Sequence, residues 1–179
     1  MKTASIGFLK NNAGHGRYHE SSAVENVIKY ETRKNRNPKN DLVAYGGIGV
    51  WEFLGIDSMC NQIRAVQQMH ARKGDLGRYI DHEIFSLTSE AGQLIQKKRL
   101  DIDAIAREMA YDFYEKDHCQ VVYAVHRPSG EDAHTHIHFA VNTVNYMDGN
   151  KRRENRRQTR EREARFQKIV ADAINQKVV

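Results

Sequence analysis

The chain has little of what staples a small fold or crosses a membrane. Two cysteines, Cys60 and Cys119, occur in 179 residues. Neither belongs to a CxxC pair or a short disulfide framework, so nothing indicates an oxidising compartment and a reduced cytoplasm is expected. No run of about 18 apolar residues exists, and the opening "MKTASIGFLKNNAGHG" has too short an apolar stretch for a signal peptide. The expectation is a soluble chain without a general export signal and without a membrane role. Internal repeats and low-complexity linkers are also absent. At this length one domain follows, large enough to bury a core unaided.

Positive charge is present but concentrated. Between Lys151 and Arg165, eight Lys or Arg face only Glu154, Glu161 and Glu163, so this run alone carries a net charge equal to the chain's +5. A basic block on one segment suits contact with a polyanion. The alternative is a solvated helix face with Glu and Arg paired four residues apart.

Periodicity divides the chain into alternating elements. "KTASIGFLK", with Ile6 and Phe8 on one side, predicts a first strand, and "NNAGHGR" a loop. "SSAVENVIKYETRK" predicts a helix opened by Ser22 and Glu25 in capping-box spacing, with Ala23, Val24, Val27 and Ile28 facing inward and Tyr30 near its end. "NRNPKN" breaks it, and "DLVAYGGIGV" is extended. Met59, Ile63, Val66 and Met69 predict a helix over 58–72, ended by "RKGDLG". "RYIDHEIFSL" alternates, with Ile80, His82, Ile84 and Ser86 on one face and Tyr79, Asp81, Glu83 and Phe85 on the other. Helices are predicted near 88–98 and 101–116, the second burying Ile102, Ile105, Met109 and Phe113. "HCQVVYAVH" and "HTHIHFAVNTVN" form a hairpin across a loop containing Pro128 and Gly130. A tail over 153–176 is helical, basic first and then amphipathic through Phe166, Ile169, Val170 and Ile174. The fold class is α+β with a mostly antiparallel sheet. Residues 1–150 make the main unit, and 151–179 belong to it or begin a truncated extension.

Histidine is the residue in excess. Four of nine fall within thirteen positions of "HRPSGEDAHTHIHFAVN", residues 126–142. Alternation along a strand sends His134, His136 and His138 to one face, and the hairpin returns His126 beside them. Any one of them alone would read as a core histidine, but several unpaired imidazoles on one face are a costly way to build a core. Three imidazoles with open positions suit a metal ion that meets substrate. Three chemistries fit: a zinc hydrolase, a histidine-triad nucleotide hydrolase with Thr135 where that family keeps an apolar residue, and a metal-dependent nuclease with a separate nucleophile. The last needs an attacking side chain. Tyr30 supplies one amid Lys29, Arg33, Lys34 and Arg36, although alone it would pass for an amphipathic residue capping the core. Tyr18 in "GHGRYHE" offers a second phenol near basic residues.

Together, "AVENVIKYETRK", "DLVAYGGIGV" with "MCNQIRAVQQM", "HEIFSL", and "AVH" followed by "HTHIHFAVN" resemble, in that order, the conserved segments of conjugative mobilisation relaxases. These belong to the P mobilisation class of the HUH endonucleases, and the likeness covers roughly residues 20 to 145. It implies a palm-like fold with a central five-stranded sheet flanked by helices. It makes Tyr30 the nucleophile, His126, His136 and His138 the metal triad, Ser86 a DNA contact, and Asn142 and His134 supporting residues. Pro128 stands where the class has an aspartate, so Glu131, Asp132, Asp81 or Glu83 would supply the supporting carboxylate. The implied reaction is metal-dependent, site- and strand-specific nicking and rejoining of single-stranded DNA at an origin of transfer, with a 5′-phosphotyrosyl intermediate. Manganese or magnesium is implied as the working ion, while imidazole ligands also suit zinc or nickel. Lys29, Arg33, Lys34, Arg36, Lys151, Arg152, Arg153, Arg156, Arg157 and Arg160 would hold phosphates of the hairpin and single strand. Implied partners are relaxosome accessory proteins and a type IV secretion coupling protein. The implied setting is a bacterial cytoplasm, with the protein able to travel with the DNA of a plasmid or integrative element. Replication initiators and transposases of the HUH type are the nearer rivals, but they place the tyrosine after the histidine strand. A histidine-triad hydrolase is the more distant one.

Overall fold

The computed structural model describes residues 5–11, 16–33, 41–71, 77–127 and 134–176. Five strands, β1 (Gly7–Asn11), β2 (Leu42–Ile48), β3 (Ile80–Leu87), β4 (Val121–His126) and β5 (His136–Asn142), form one sheet in the order β1-β3-β5-β4-β2, every neighbour antiparallel. The fold is the α+β one expected. Five helices flank the sheet: α1 (Ala23–Glu31), α2 (Ile56–Met69), α3 (Ser89–Lys97), α4 (Ile102–Asp117) and α5 (Arg156–Asn175). Short 3₁₀ turns lie at Gly16–His19 and Glu52–Leu54.

Strand alternation gives the sheet two unlike faces. On one, Phe85, Leu87, Val121, Tyr123, Val125, Ile137, Phe139 and Val141 meet Phe113 of α4 and Phe166 and Val170 of α5 in the larger core. On the other, Ile80, Val122 and Ala140 meet Val24, Val27 and Ile28 of α1 and Met59 and Ile63 of α2. That second face carries the histidines, so α1 is laid directly across them.

Two local expectations fail for identifiable reasons. Ser22 takes an α conformation (φ −76°, ψ −9°) and caps nothing with its side chain. Glu25 instead takes Lys29 at 2.6 Å and Arg64 of α2 at 3.0 Å, so tertiary ion pairing outcompetes the local capping box. A complete capping box forms at Asn155 and Gln158, opening α5. Met69 is 79% exposed, because the inward position near the end of α2 belongs to Gln67, which donates to Tyr79 O (2.6 Å) and Asn142 Oδ1 (3.0 Å).

The third correction concerns charge. Arg152, expected to hold DNA phosphate, is buried. Its Nη1 meets Asp81 at 2.9 Å and Glu83 at 2.7 Å, its Nε meets Asp117 at 2.7 Å, and its Nη2 meets Glu154 at 2.9 Å. Arg162 joins the same acids through Asp112, Asp117 and Glu154, its guanidinium 4.1 Å from the centre of the Phe113 ring. Asp81 and Glu83, expected beside the metal, therefore lie on the wrong face of the sheet. The period of two that points His82 toward α1 points its neighbours away from it. Burial lifts the Glu83 carboxyl to about 7 against the pull of Arg152. Arg152→Ala, which leaves several buried carboxylates uncompensated, is expected to lose about 3–5 kcal/mol of stability, measured by urea unfolding.

Candidate active site

Two strands deliver the histidines of the triad. Register sets His126 of β4 opposite His136 of β5, and alternation brings His138 to the same face two residues on. Ring centroids lie 5.3 Å apart for His126 and His136, 4.7 Å for His126 and His138, and 4.9 Å for His136 and His138. One ring nitrogen of each lies within 4.8 Å of the others. A carbonyl only accepts, so Nε2–H of His126 donates to Glu31 O (2.6 Å) and Nδ1–H of His136 donates to His134 O (3.0 Å). Each ring then keeps a lone pair on its other nitrogen. Burial pushes the His136 imidazole below its usual range and His138 further, to the neutral form that ligates metal. Geometry and protonation both fit a divalent ion.

Tyr30 stands beside this cluster at the end of α1. It is 49% exposed, its ring is edge-on to His138 at 6.4 Å, and the Arg33 guanidinium lies 4.3 Å from the ring centre. Tyr18 is placed otherwise. It is 8% exposed, with its hydroxyl 3.2 Å from His82 Nδ1, which closes it to a bulky substrate.

Among the described residues, the carboxylates beside the histidines are Glu31 and Asp41, in place of Asp81 and Glu83: Asp41 Oδ2 is 3.7 Å from His126 Nδ1, and Glu31 Oε1 is 3.2 Å from His82 Nε2. His82 Nε2 in turn lies 2.9 Å from His138 Nδ1. The signal for His82 was present in the alternation of "YIDHEIFS", which sets it on the face of Ser86. Glu31 follows Tyr30 directly, yet nothing local reveals that it turns inward. Asp41 reaches its place only through the pairing of β2 with β4.

The other expected site residues divide by location. Ser86 is paired with His136 across β3 and β5 and shares its face. His134 lies ahead of β5, not on it, so its ring, 3.3 Å from Ser89 Oγ, does not converge with the triad. Asn142 is wholly buried at the far end of β5, where it accepts from Gln67 and Val144 N and donates to Gln120. Lys29 bridges Glu25 and Asp57. Lys151 donates to Arg78 O at 3.0 Å and covers the Tyr79 ring. Arg153, Arg156, Arg157 and Arg160 are exposed, with Arg157 paired to Glu161. Lys34, Arg36, Glu131 and Asp132 lie outside the described residues.

Burial of unprotonated imidazole has a measurable consequence. It lowers the His82 pKa to about 4, and His138 falls with it. The unfolded chain therefore binds protons from about pH 6.5 downward while the folded one does not. Metal-free protein is expected to keep full stability above pH 6.5 and to lose about 1.4 kcal/mol per pH unit per such histidine as pH falls toward 4. Thermal melts across that range check this.

The model for the MobA/VirD2-like relaxase nuclease domain matches residues 30–173. The chain belongs to that family. The matched span begins at Tyr30 and takes in β2 to β5 and most of α5. No curated protein gives a match. As a relaxase nuclease domain, the chain is a DNA-nicking enzyme of mobilisation, and its histidine cluster is one that can hold a metal ion. Among the described residues of this relaxase, no helix is long and apolar enough to cross a membrane.

Proposed function

We propose that this relaxase nicks and rejoins single-stranded DNA at an origin of transfer by transesterification onto Tyr30. The observation that carries the reading is the approach of Tyr30, half exposed, to His138 of the triad at 6.4 Å. The Tyr30 oxygen attacks the scissile phosphorus, an O–P bond to tyrosine forms, and the bond to the 3′-oxygen breaks. The tyrosine gives up its proton and the leaving 3′-oxygen takes one up. The product is a 5′-phosphotyrosyl adduct with a free 3′-hydroxyl, and because the phosphodiester energy is conserved the step reverses without a nucleotide cofactor. His126, His136 and His138 would hold a divalent ion, manganese or magnesium, that offsets charge on the non-bridging oxygens in the transition state.

The remaining residues orient these groups. Glu31 O positions His126, Asp41 adds negative charge 3.7 Å from its Nδ1, and His134 O positions His136. Arg33 over the Tyr30 ring and Ser86 beside His136 stand where phosphate and sugar of the strand would pass. Arg153, Arg156, Arg157 and Arg160 would hold duplex or hairpin phosphates with steep salt dependence. The order of motifs, tyrosine before histidine strand, favours this over a replication initiator or transposase. We place residues 151–176 with the nuclease domain, since Phe166 and Val170 fill its core. The relaxosome, a secretion coupling protein and a bacterial cytoplasm are the setting this function implies.

The test mixes the protein with an origin-of-transfer oligonucleotide and manganese and looks for an adduct that survives SDS. It should form on single-stranded or hairpin DNA, disappear with EDTA, and be absent from an unrelated sequence. Cleavage without any covalent adduct would point to a hydrolytic nuclease instead.

A further inference from the structure

The proposed triad leaves one buried acid unexplained. Glu31 is 0% exposed, and neither carboxylate oxygen accepts a hydrogen bond from a described group. An unpaired carboxylate in that position is costly. His82 Nε2 lies 3.2 Å from Glu31 Oε1, and the same nitrogen lies 2.9 Å from His138 Nδ1.

These three groups all offer lone pairs toward one another. A single proton on His82 Nε2 can serve Glu31 or His138 Nδ1, but it cannot serve both. His82 is fixed from its other side by the Tyr18 hydroxyl at 3.2 Å from Nδ1, so Nε2 is held toward the acid. The ligand atoms of Glu31, His82 and His138 lie within 4.8 Å of one another, and all three residues are buried. Neither Glu31 oxygen accepts a hydrogen bond from a described residue, so bidentate binding would raise the donor set to four atoms.

We propose that Glu31, His82 and His138 Nδ1 form a second, closed divalent-cation site, joined to the proposed catalytic triad through the shared imidazole of His138. It rests on the triad reading in one respect: His138 would bridge the two ions through Nδ1 and Nε2 as an imidazolate, its remaining ring N–H proton passing to solvent as the second ion binds. Two imidazoles and a carboxylate suit zinc, manganese or nickel better than magnesium or calcium. Closure from solvent gives the ion a structural role, as in sites that leave no position for substrate. It ties α1, which ends in Tyr30 and Glu31, to β3 and β5, and so fixes where the tyrosine stands relative to the histidines.

The test is metal stoichiometry on the full chain, by equilibrium dialysis against zinc or manganese followed by elemental analysis, with manganese electron paramagnetic resonance as a second readout. Two ions per chain are expected for the native protein, with spin coupling between two manganese ions. Glu31→Gln, His82→Ala and His136→Ala should each retain one. One ion in the native protein, or two retained in both Glu31→Gln and His82→Ala, overturns the second site. Should Glu31→Gln not fold, native stoichiometry and the resonance spectrum still decide. A native protein with one ion that His136→Ala removes would leave the catalytic triad standing without the buried site. Two ions with no DNA adduct would leave the buried site standing without the nicking reaction.

Discussion

Tyr30→Phe is expected to lose the SDS-stable DNA adduct by at least a thousandfold, on the scale seen when a covalent nucleophile is removed. The substitution deletes one oxygen from a side chain that is 49% exposed and for which no hydrogen bond is described. Folding should therefore be unaffected, and a melt should coincide with that of the native protein. DNA binding should also persist, because in the proposed reading phosphate contacts would come from Arg33 and the exposed arginines, and not from the phenol. Loss of chemistry with retained binding separates a nucleophile from a structural residue. Tyr18→Phe is the matching control. Its hydroxyl is buried against His82 Nδ1 at 3.2 Å, so removing it should cost about 1 kcal/mol of stability while the adduct still forms. An adduct that survives Tyr30→Phe and vanishes with Tyr18→Phe would reverse the two assignments.

The same two tyrosines show what a sequence can and cannot convey. Both stand near cations in the linear chain, and only the packing of α1 and the 3₁₀ turn against β3 separates a reachable phenol from a buried one. Strand alternation, by contrast, is strictly local. It set His134, His136 and His138 on one face, with the hairpin returning His126 beside them, and it set His82 on the face of Ser86, but only the pairing of β3 with β5 brings His82 to the triad. It also placed Asp81 and Glu83 away from them, although the need for a carboxylate near the metal drew attention to those residues. Charge misled for a related reason. The run 151–165 is basic in sequence, but Arg152 and Arg162 balance acids contributed by β3 and α4, and such compensation from distant segments leaves no local trace. Caps are similarly contested: Ser22 and Glu25 have the spacing of a capping box, yet Arg64 and Lys29 claim the glutamate.

Removing His136 is expected to cut adduct formation on the order of 10³-fold or more, because transition-state charge on the phosphate then loses its main electrostatic support. His136 is the informative choice among the three ligands. His126 also holds Glu31 O at the end of α1, and His138 also faces His82, so replacing either disturbs more than an ion. His136 is half-buried, and its one described hydrogen bond runs to the neighbouring His134 carbonyl. His136→Ala should consequently melt near the native temperature when both are metal-free, and differ only when metal is added. The carboxylate outside the triad gives a graded companion. Asp41→Asn, which removes a negative charge 3.7 Å from the His126 Nδ1 that would face the ion, should lower metal affinity about 10–100-fold. It should recover adduct formation when the ion is raised to saturation, whereas His136→Ala should not. Protonation sets the acid limit of the same chemistry. Because burial depresses the imidazoles of His136 and His138, both remain ligands below pH 6.5, and adduct formation should persist to more acidic pH than an exposed histidine site would allow. A fall centred at or above pH 6.5 would show that these rings are open to water, and that the ion is held elsewhere.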